Sequence, residues 1–235
     1  MRDAGLTREV RAAYAHCARV VRRSESSFAA AFWLFPKPRR RALHAVYAFC
    51  RLADDIADDP GVRGDRRLLL GRWRAELTDA YLGKAQHPVG IALGDAVHRF
   101  RLSQDVFLDL LRGVESDLLG ESMETFEDLR RYCYRVASTV GLLVVQVLEA
   151  RSPRSFEYAE TLGIAVQLTS IKGPFARLPP KWRARAMSSL PVPCSPRTST
   201  VVVLLCTTLS KVAITSRIAG DSPTIRSVPK LRLRS

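Results

Sequence analysis

The sequence predicts an all-α protein, a bundle of helices packed around a largely apolar interior. From residue 5 to residue 171, apolar residues recur at intervals of three and four positions, which is the period of an amphipathic helix. No stretch of that region alternates apolar and polar residues as a half-buried strand would. With 235 residues, of which 47% are hydrophobic, the chain is long enough to bury one sizeable core.

Four helices are predicted in the first third of the chain, and the prolines of this part fall between them. Pro36 and Pro38 separate the second helix from the third, and Pro60 separates the third from the fourth. The third helix has the strongest periodic pattern in the chain. The predicted ranges are 5–22, 26–34, 37–57 and 64–82.

The next four helices are marked by prolines and by residues suited to N-caps. Pro88 precedes the fifth helix and Pro153 begins the eighth. Ser103, Thr125 and Ser152 lie near plausible N-caps of the last three helices. The predicted ranges are 89–101, 104–119, 124–149 and 153–171.

The net charge of +14 is concentrated in the last part of the chain. Residues 1–171 have a net charge of +3, whereas residues 172–235 have +11, with Asp221 as their single acid. Eight of the 13 prolines also follow Ile171. We therefore divide the chain into residues 1–171, part of a helical domain, and residues 172–235, a basic tail that is disordered or out of frame.

Several classes of protein have no support in the sequence. No stretch approaches the ~20 apolar residues of a membrane-spanning helix, and the first 23 residues lack the apolar core of a secretory signal. Neither a glycine-rich nucleotide motif nor a Ser/His/Asp signature occurs. The five cysteines lie far apart, which argues against a zinc site and a disulfide framework. We expect a cytoplasmic protein whose cysteines are small buried side chains.

One face of the third predicted helix carries a pattern suited to metal-assisted chemistry. Tyr47, Arg51, Asp54 and Asp58 are spaced by four, three and four positions and so share that face. Two carboxylates one turn apart can bind Mg²⁺, while an arginine one turn earlier can bind a diphosphate. Spacing alone gives similar weight to a solvated acidic helix end.

Three blocks of sequence resemble the squalene/phytoene synthase family, whose members join two isoprenoid diphosphates head to head. The first runs over 26–58 and includes YAFCR followed by DDIAD. The second, YCYRVASTVG at 132–141, is similar to the family's YCxxVAGTVG signature, with Ser138 where glycine is usual. The third is LGIAVQLTSI at 162–171. Together the blocks cover most of residues 10–171 in the family's order.

The resemblance implies an isoprenoid-synthase-type bundle around a central apolar cavity. It also implies Mg²⁺-dependent head-to-head condensation of farnesyl or geranylgeranyl diphosphate, toward presqualene diphosphate, squalene or phytoene. The metal ligands would be Asp54, Asp55 and Asp58, and Tyr132 would be catalytic beside the reacting carbons, together with Asp54 and Asp58. The implied substrate contacts are Ser27, Phe28, Tyr47, Arg51, Val136, Ala137, Val140 and Gln167.

The aromatic and aliphatic members of this set also have a purely structural interpretation. Phe28, Tyr47, Val136 and Val140 stand at helical spacing and could simply be core residues. Tyr132 could be a buried tyrosine whose hydroxyl is hydrogen-bonded. Small residues at Ala137, Ser138 and Gly141 favour close helix packing as much as space for a substrate.

The resemblance ends after the third block, where the family continues with a second aspartate-rich motif. Ser170 stands where asparagine is usual, and the expected carboxylates fall on Pro174, Arg177 and Leu178, none of which can bind Mg²⁺. Because the resemblance to the family ends at the same point at which the amino-acid composition changes, we interpret residues 172–235 as the product of a reading-frame change. The fold would then be incomplete at its C-terminus. We expect weak binding of a prenyl diphosphate and little condensation by this chain.

Two competing functions stay open at this stage. The first is a non-catalytic basic protein that binds an anionic membrane or nucleic acid through residues 172–235, although the dispersed charges indicate no specific nucleic-acid site. The second is head-to-tail prenyl elongation, which the YCYRVASTVG block disfavours. The sequence leaves open the prenyl chain length, the final product and the use of NADPH. We expect a monomer, with peripheral membrane attachment as an alternative to a purely cytoplasmic protein.

Overall fold

The structure is a computed structural model, and it describes residues 6–24, 31–121 and 123–170. Within these ranges the secondary structure is helical, and no strand is present. The predicted all-α class is therefore confirmed. Ser27, Phe28 and the whole basic tail lie outside the described residues.

Eight α-helices and one π-helical segment, π1, make up the described part of the chain. They are α1 (Arg8–Arg23), α2 (Lys37–Asp58), α3 (Arg66–Tyr81), α4 (Pro88–Phe100), α5 (Gln104–Leu119), α6 (Phe126–Cys133), π1 (Tyr134–Ser138), α7 (Thr139–Val147) and α8 (Pro153–Ser170).

Helix α2 is the central element of the bundle, in contact with α1, α3, α4, α5 and α7. Its middle is held by aromatic packing: the Phe49 ring stacks on Trp73 at 5.0 Å and meets Phe107 edge-on at 5.3 Å. The indole N–H of Trp73 also donates to the Phe49 carbonyl over 3.2 Å. An indole that is both stacked and hydrogen-bonded holds α2 and α3 in one register.

A second, smaller core joins the later helices. Leu129 and Tyr132 on α6 pack with Val136 of π1 and with Ile164 and Leu168 on α8. The approach is close because α8 has no side chain at Gly163, where a Cβ would lie 2.5 Å from the Ser138 Cα. A larger residue there would overlap backbone atoms, so glycine is required by the packing.

The predicted helices agree with the observed ones in most places. Thr125 caps α6 in a reciprocal capping box with Asp128, and Ser103 is the N-cap of α5. The predicted single helix 124–149 is wrong, because π1 interrupts it and divides it into α6 and α7. On this stretch the Ser138 hydroxyl donates a hydrogen bond to the Glu160 carbonyl over 2.5 Å, and the Thr139 hydroxyl donates one to the Arg135 carbonyl over 2.7 Å.

Two further expectations can be compared with the described residues. Cys17, Cys50 and Cys133 are buried free thiols, as predicted. Helices long and apolar enough to cross a bilayer are not found in the described ranges.

Candidate active site

The predicted acidic face lies in the C-terminal half of α2. Tyr47 is fully buried in the main core, whereas Arg51, Asp54 and Asp58 are half-buried one helical turn apart. The apolar half of the helix fixes the position of these charged groups. Rigid placement on a packed helix is what a binding site for a charged ligand requires.

Asp54 occupies an unfavourable electrostatic position. Burial, reinforced by the negative charge of Asp58, raises the pKa of the Asp54 carboxyl well above its usual range. The positive charge of Arg51 opposes this shift, while Asp117 adds to it. The positive charges of the protein are therefore too few to stabilise the ionised form of Asp54.

Arg51 and Asp55 form an ion pair along α2. The Arg51 Nη2 lies 2.7 Å from Asp55 Oδ1, and both side chains are about 30% exposed. Burial raises the pKa of Asp55, and the Arg51 charge and hydrogen bond work against that shift. The guanidinium that we predicted to contact a diphosphate is thus held by the carboxylate that we predicted to bind a metal.

Asp117, on the last turn of α5, joins the site from a second helix. Its Oδ2 accepts a hydrogen bond from the Tyr132 hydroxyl over 3.2 Å, and its charge acts on Asp54. Tyr132 of α6 is thereby linked to Asp54 on α2 through Asp117, which accepts its hydrogen bond and acts on the Asp54 carboxyl. Asp117 was not predicted, because helical periodicity does not indicate which of the acids on α5 faces α2.

Helix geometry makes this cluster still more negative. Asp58 is the last residue of α2, and Asp117 lies two residues before the end of α5. The C-terminus of a helix carries a partial negative charge, so carboxylates are disfavoured there and cations are favoured. Acids at two converging helix ends are the one signal by which Asp117 could have been suspected.

The end of α2 is held by an arginine from the next helix. The Arg66 guanidinium donates to the carbonyl oxygens of Ala57 and of Asp59, the latter over 3.0 Å. Ala57 lies in the last turn of α2 and Asp59 is its C-cap, and carbonyls at a helix C-terminus have few intrahelical partners. Arg66 therefore fixes the backbone that carries Asp58.

Tyr132 also borders a small polar cleft. Arg131 and Arg135 line the cleft beside it. The cleft is further lined by Ser116, Glu121, Met123 and Asp128. Tyr132 thus borders a polar cleft that contains two basic and two acidic side chains, and it donates a hydrogen bond to the carboxylate of Asp117.

The predicted apolar contacts are found in two different cores. Val136 and Ala137 pack with Tyr132 in the smaller core, whereas Tyr47 and Val140 belong to the main core. This burial agrees with the structural interpretation of these side chains. Their contact with a substrate stays a prediction.

Gln167 on α8 differs from the other predicted contacts because it is polar. It is 2% exposed, and its Oε1 accepts no hydrogen bond from the described groups. A buried amide oxygen in this state costs free energy unless a ligand, an ion or water satisfies it. A bound group or a water molecule at Gln167 would satisfy this oxygen, and contact of Gln167 with a substrate stays a prediction.

The chemistry of these donors fits Mg²⁺ bound together with a phosphate ligand. Asp54, Asp58 and Asp117 supply hard oxygen donors and an excess of negative charge. Within the described ranges, no three Asp, Glu, His or Cys side chains are arranged to hold a metal ion by themselves. Mg²⁺ usually binds through one or two carboxylates plus substrate phosphates and water.

Comparison with known proteins gives one consistent result. The family model for squalene/phytoene synthase matches residues 21–172. Phytoene synthase 3 of Zea mays is 36% identical over 176 residues, which are 72% of this chain and 40% of the relative. The 15-cis-phytoene synthase of Synechococcus elongatus is 34% identical over 171 residues, 68% of this chain and 56% of the relative. The chain thus spans about half or less of these relatives.

Two solved structures share the fold. Squalene synthase HpnC from Alicyclobacillus acidocaldarius aligns with a TM-score of 0.70 at 23% identity, covering 91% of this chain and 96% of that one. A dehydrosqualene synthase solved in complex with a ligand aligns with a TM-score of 0.61 at 28% identity, covering 90% and 76%. The predicted isoprenoid-synthase-type bundle is therefore confirmed.

Proposed function

Since the chain belongs to the squalene/phytoene synthase family, we propose that it is built for Mg²⁺-dependent head-to-head joining of two prenyl diphosphates. The proposal is supported by the hydrogen bond from Tyr132 to Asp117 and by the effect of the Asp117 charge on Asp54, which together involve three helices. The substrates would be farnesyl or geranylgeranyl diphosphate. Presqualene diphosphate, squalene or phytoene would be the product.

We assign metal binding to Asp54 and Asp58, with Asp117 adding negative charge near Asp54. Asp55 is the weaker candidate, because it already pairs with Arg51. When bound, Mg²⁺ would neutralise the diphosphate and make it a better leaving group. The raised pKa of Asp54 supports this assignment, because a cation would favour the ionised carboxylate.

The remaining residues of the chain have positioning and shielding roles in this proposal. The Arg51 guanidinium would leave the Asp55 carboxylate and bind the diphosphate instead. A phosphate group, like a carboxylate, presents two oxygens that a guanidinium can bind together. Tyr132 holds its proton toward Asp117 and so orients that carboxylate. Val136 and Ala137, next to Tyr132, would keep water away from an allylic cation.

We further propose that this 235-residue chain is catalytically impaired. The described residues supply the first aspartate cluster, and the segment after Ile171 contains Asp221 as its single acid. The second diphosphate would therefore lack its metal ligands. The sequence leaves the use of NADPH open, and peripheral membrane attachment stays an alternative to a purely cytoplasmic protein.

The test is Mg²⁺-dependent binding of a prenyl diphosphate by the purified chain. We expect titration calorimetry to detect farnesyl or geranylgeranyl thiodiphosphate binding with Mg²⁺, and at least tenfold weaker binding with EDTA or in Asp54→Ala. Chromatography of products from radiolabelled farnesyl and geranylgeranyl diphosphate, run in parallel, measures condensation.

Asp105→Ala is the control variant, because Asp105 lies at the opposite, N-terminal end of α5. It should bind the analogue as the parent chain does. An affinity for the analogue that neither EDTA nor Asp54→Ala changes would contradict the assignment of the metal site. Rapid formation of a C30 or C40 product would contradict only the proposed impairment.

A further inference from the structure

We propose that His87 is a proton-sensitive cap at the start of α4. The neutral imidazole holds the first turn of α4 in place, and the protonated ring releases that turn together with the connection before it, residues 82–87. This inference concerns a conformational change within the bundle and does not depend on the proposed function.

His87 caps α4 in a way that is open only to its neutral form. It is the N-cap residue, and its Nδ1 accepts a hydrogen bond from the Val89 amide over 3.2 Å. Pro88 has no amide hydrogen, so the Val89 amide is the first donor that α4 presents. A protonated imidazole is a donor at both ring nitrogens. A proton on Nδ1 would therefore break this bond and place two N–H groups against each other.

The position of His87 at a helix N-terminus also disfavours the protonated ring. The N-terminus of a helix carries a partial positive charge, which repels a cation. Most N-caps avoid this problem because their side chains are hydroxyls, amides or carboxylates. Thr125 at the start of α6 is such a cap, and its hydroxyl accepts from the Asp128 amide whether the solution is neutral or mildly acidic.

Two other helices contribute side chains that face His87. On α3, the Trp73 ring meets the imidazole edge-on at 5.2 Å, and Glu76 Oε1 accepts from the amides of Gln86 and His87 over 3.0 and 2.9 Å. On α1, the His16 ring lies 6.0 Å away, also edge-on. Burial lowers the pKa of His87, the Glu76 charge opposes this shift, and His16 adds to it. The cap is therefore complete above pH 6.5 and is lost as pH falls further.

Glu76 gives the protonated ring an alternative partner. Its carboxylate is packed against the first turn of α4, where it occupies the space that a Cβ at Gly90 would need. It also bonds the backbone of His87 itself. A charged ring that leaves the Val89 amide would thus find a carboxylate beside it. Because His87 is only half-buried, a proton can reach the ring while the bundle stays folded.

The test is hydrogen exchange of the Val89 amide in the full chain, measured by nuclear magnetic resonance at pH 7.5 and pH 5.0 and corrected for intrinsic exchange rates. We expect the protection of Val89 to fall about five- to tenfold relative to that of Asp128 in α6. In His87→Asn, whose side chain caps a helix without titrating, the fall should be less than about twofold. The matched control is His98→Asn at the other end of α4, which should behave as the parent chain does.

Trp73 reports the same change independently. In the Trp33→Phe/Trp182→Phe background, Trp73 is the remaining tryptophan, and its ring contacts His87. Its emission should change with pH at the same midpoint as the protection of Val89. The added substitution His87→Asn should remove that change.

The direction in which the midpoint moves tests the role of Glu76. Glu76→Gln keeps an oxygen that can accept the amide bonds, but it removes the charge that favours the protonated ring. The midpoint should therefore move to lower pH. Equal losses of Val89 protection in the parent chain and in His87→Asn would overturn the proposal. A pH response of Trp73 that His87→Asn leaves intact would overturn it as well.

Discussion

At the scale of single residues, the candidate site is defined by where carboxylates are placed against their electrostatic preference. The sequence predicted Asp54 and Asp58 because their spacing is regular and local. Asp117 depends on how α5 packs beside α2, and that packing has no signature in a single sequence. The pairing of Arg51 with Asp55 was also unpredicted, although the two residues stand four positions apart.

Substitution of Asp54 by asparagine should stabilise the metal-free protein while it removes Mg²⁺ binding. The variant relieves a buried charge that Asp58 and Asp117 repel. We expect Tm to rise by about 2 to 4 °C at pH 7.5, equivalent to about 1 kcal/mol. Calorimetric scans with EDTA measure this.

The same scans with Mg²⁺ and a thiodiphosphate measure how much the ligands stabilise each protein. The ligands should raise the Tm of the parent chain and leave that of Asp54→Asn unchanged. Asp79→Asn, on α3, controls for the chemical change itself. A lower Tm for Asp54→Asn with EDTA would show that the carboxylate is already satisfied within the protein.

His44 should make stability depend on pH below neutrality. Its burial, with the charges of Arg40 and Arg22, lowers its pKa from 6.5 to about 4. Between pH 6.5 and pH 4 the His44 side chain is protonated in the unfolded chain and neutral in the folded chain. Its contribution to the free energy of unfolding is therefore full above pH 6.5 and is lost as pH falls toward 4. The loss amounts to about 2 kcal/mol.

Urea unfolding at pH 7.5 and pH 4.5 measures this effect as a difference between the parent chain and His44→Gln. Carboxylates titrate in both proteins, so their contribution cancels in the comparison. We expect the parent chain to lose more stability than His44→Gln. Equal losses in the two proteins would show that His44 is protonated in the folded state.

At the scale of the elements, helical periodicity was enough to predict most helices and several caps. Periodicity says nothing about hydrogen-bond register, so the change to a π-helix at Tyr134–Ser138 was not predicted. Such segments are often found at functional sites. Here the segment lies between two glycines: Gly113 of α5 faces its first half, and Gly163 of α8 faces Ser138.

The variant Gly163→Ala should destabilise the packing of α8 on π1. The added methyl would lie 2.5 Å from Cα and 2.6 Å from the backbone nitrogen of Ser138, atoms that cannot rotate away. We expect a loss of about 2 to 3 kcal/mol in the free energy of unfolding. Circular dichroism during urea unfolding measures it.

Gly71→Ala is the matched control for that substitution. Gly71 lies within α3, and a Cβ there would meet no atom within 4 Å. Alanine should stabilise the helix at this position by up to about 1 kcal/mol. If Gly163→Ala behaved like Gly71→Ala, the close contact between α8 and π1 would be disproved.

Arg66 should matter for ligand binding more than for stability. Its guanidinium holds the carbonyls of Ala57 and Asp59 and thereby the last turn of the acidic helix. We expect Arg66→Gln to weaken Mg²⁺-dependent thiodiphosphate binding about tenfold, or about 1.4 kcal/mol. The neighbouring exposed Arg67 provides the control Arg67→Gln, which should bind normally. Equal affinities of Arg66→Gln and Arg67→Gln for the thiodiphosphate would show that Arg66 does not position the binding site.

At the scale of the whole molecule, the chain combines a family-like helical part with a segment of different composition. The family match ends at residue 172, where the sequence analysis also placed the boundary. The described helices supply the first acidic cluster, and the segment beyond them carries one acid in 64 residues. Under the proposed function two diphosphates have to be neutralised by metal ions, and we expect one carboxylate cluster to be too few for both.

Replacement of residues 171–235 should therefore raise activity by a large factor. In the chimera, residues 1–170 are joined to the segment that follows the aligned position in the Synechococcus 15-cis-phytoene synthase. If the missing metal ligands are worth several kcal/mol in the transition state, turnover should increase by about a thousandfold. Chromatography of products from labelled geranylgeranyl diphosphate measures the rate. Asp54→Asn in the chimera should abolish the gain, because the restored cluster works only together with the first one. Equal turnover by the parent chain and the chimera would mean that residues 1–235 already hold both diphosphates, and that the second set of ligands must be sought within those residues.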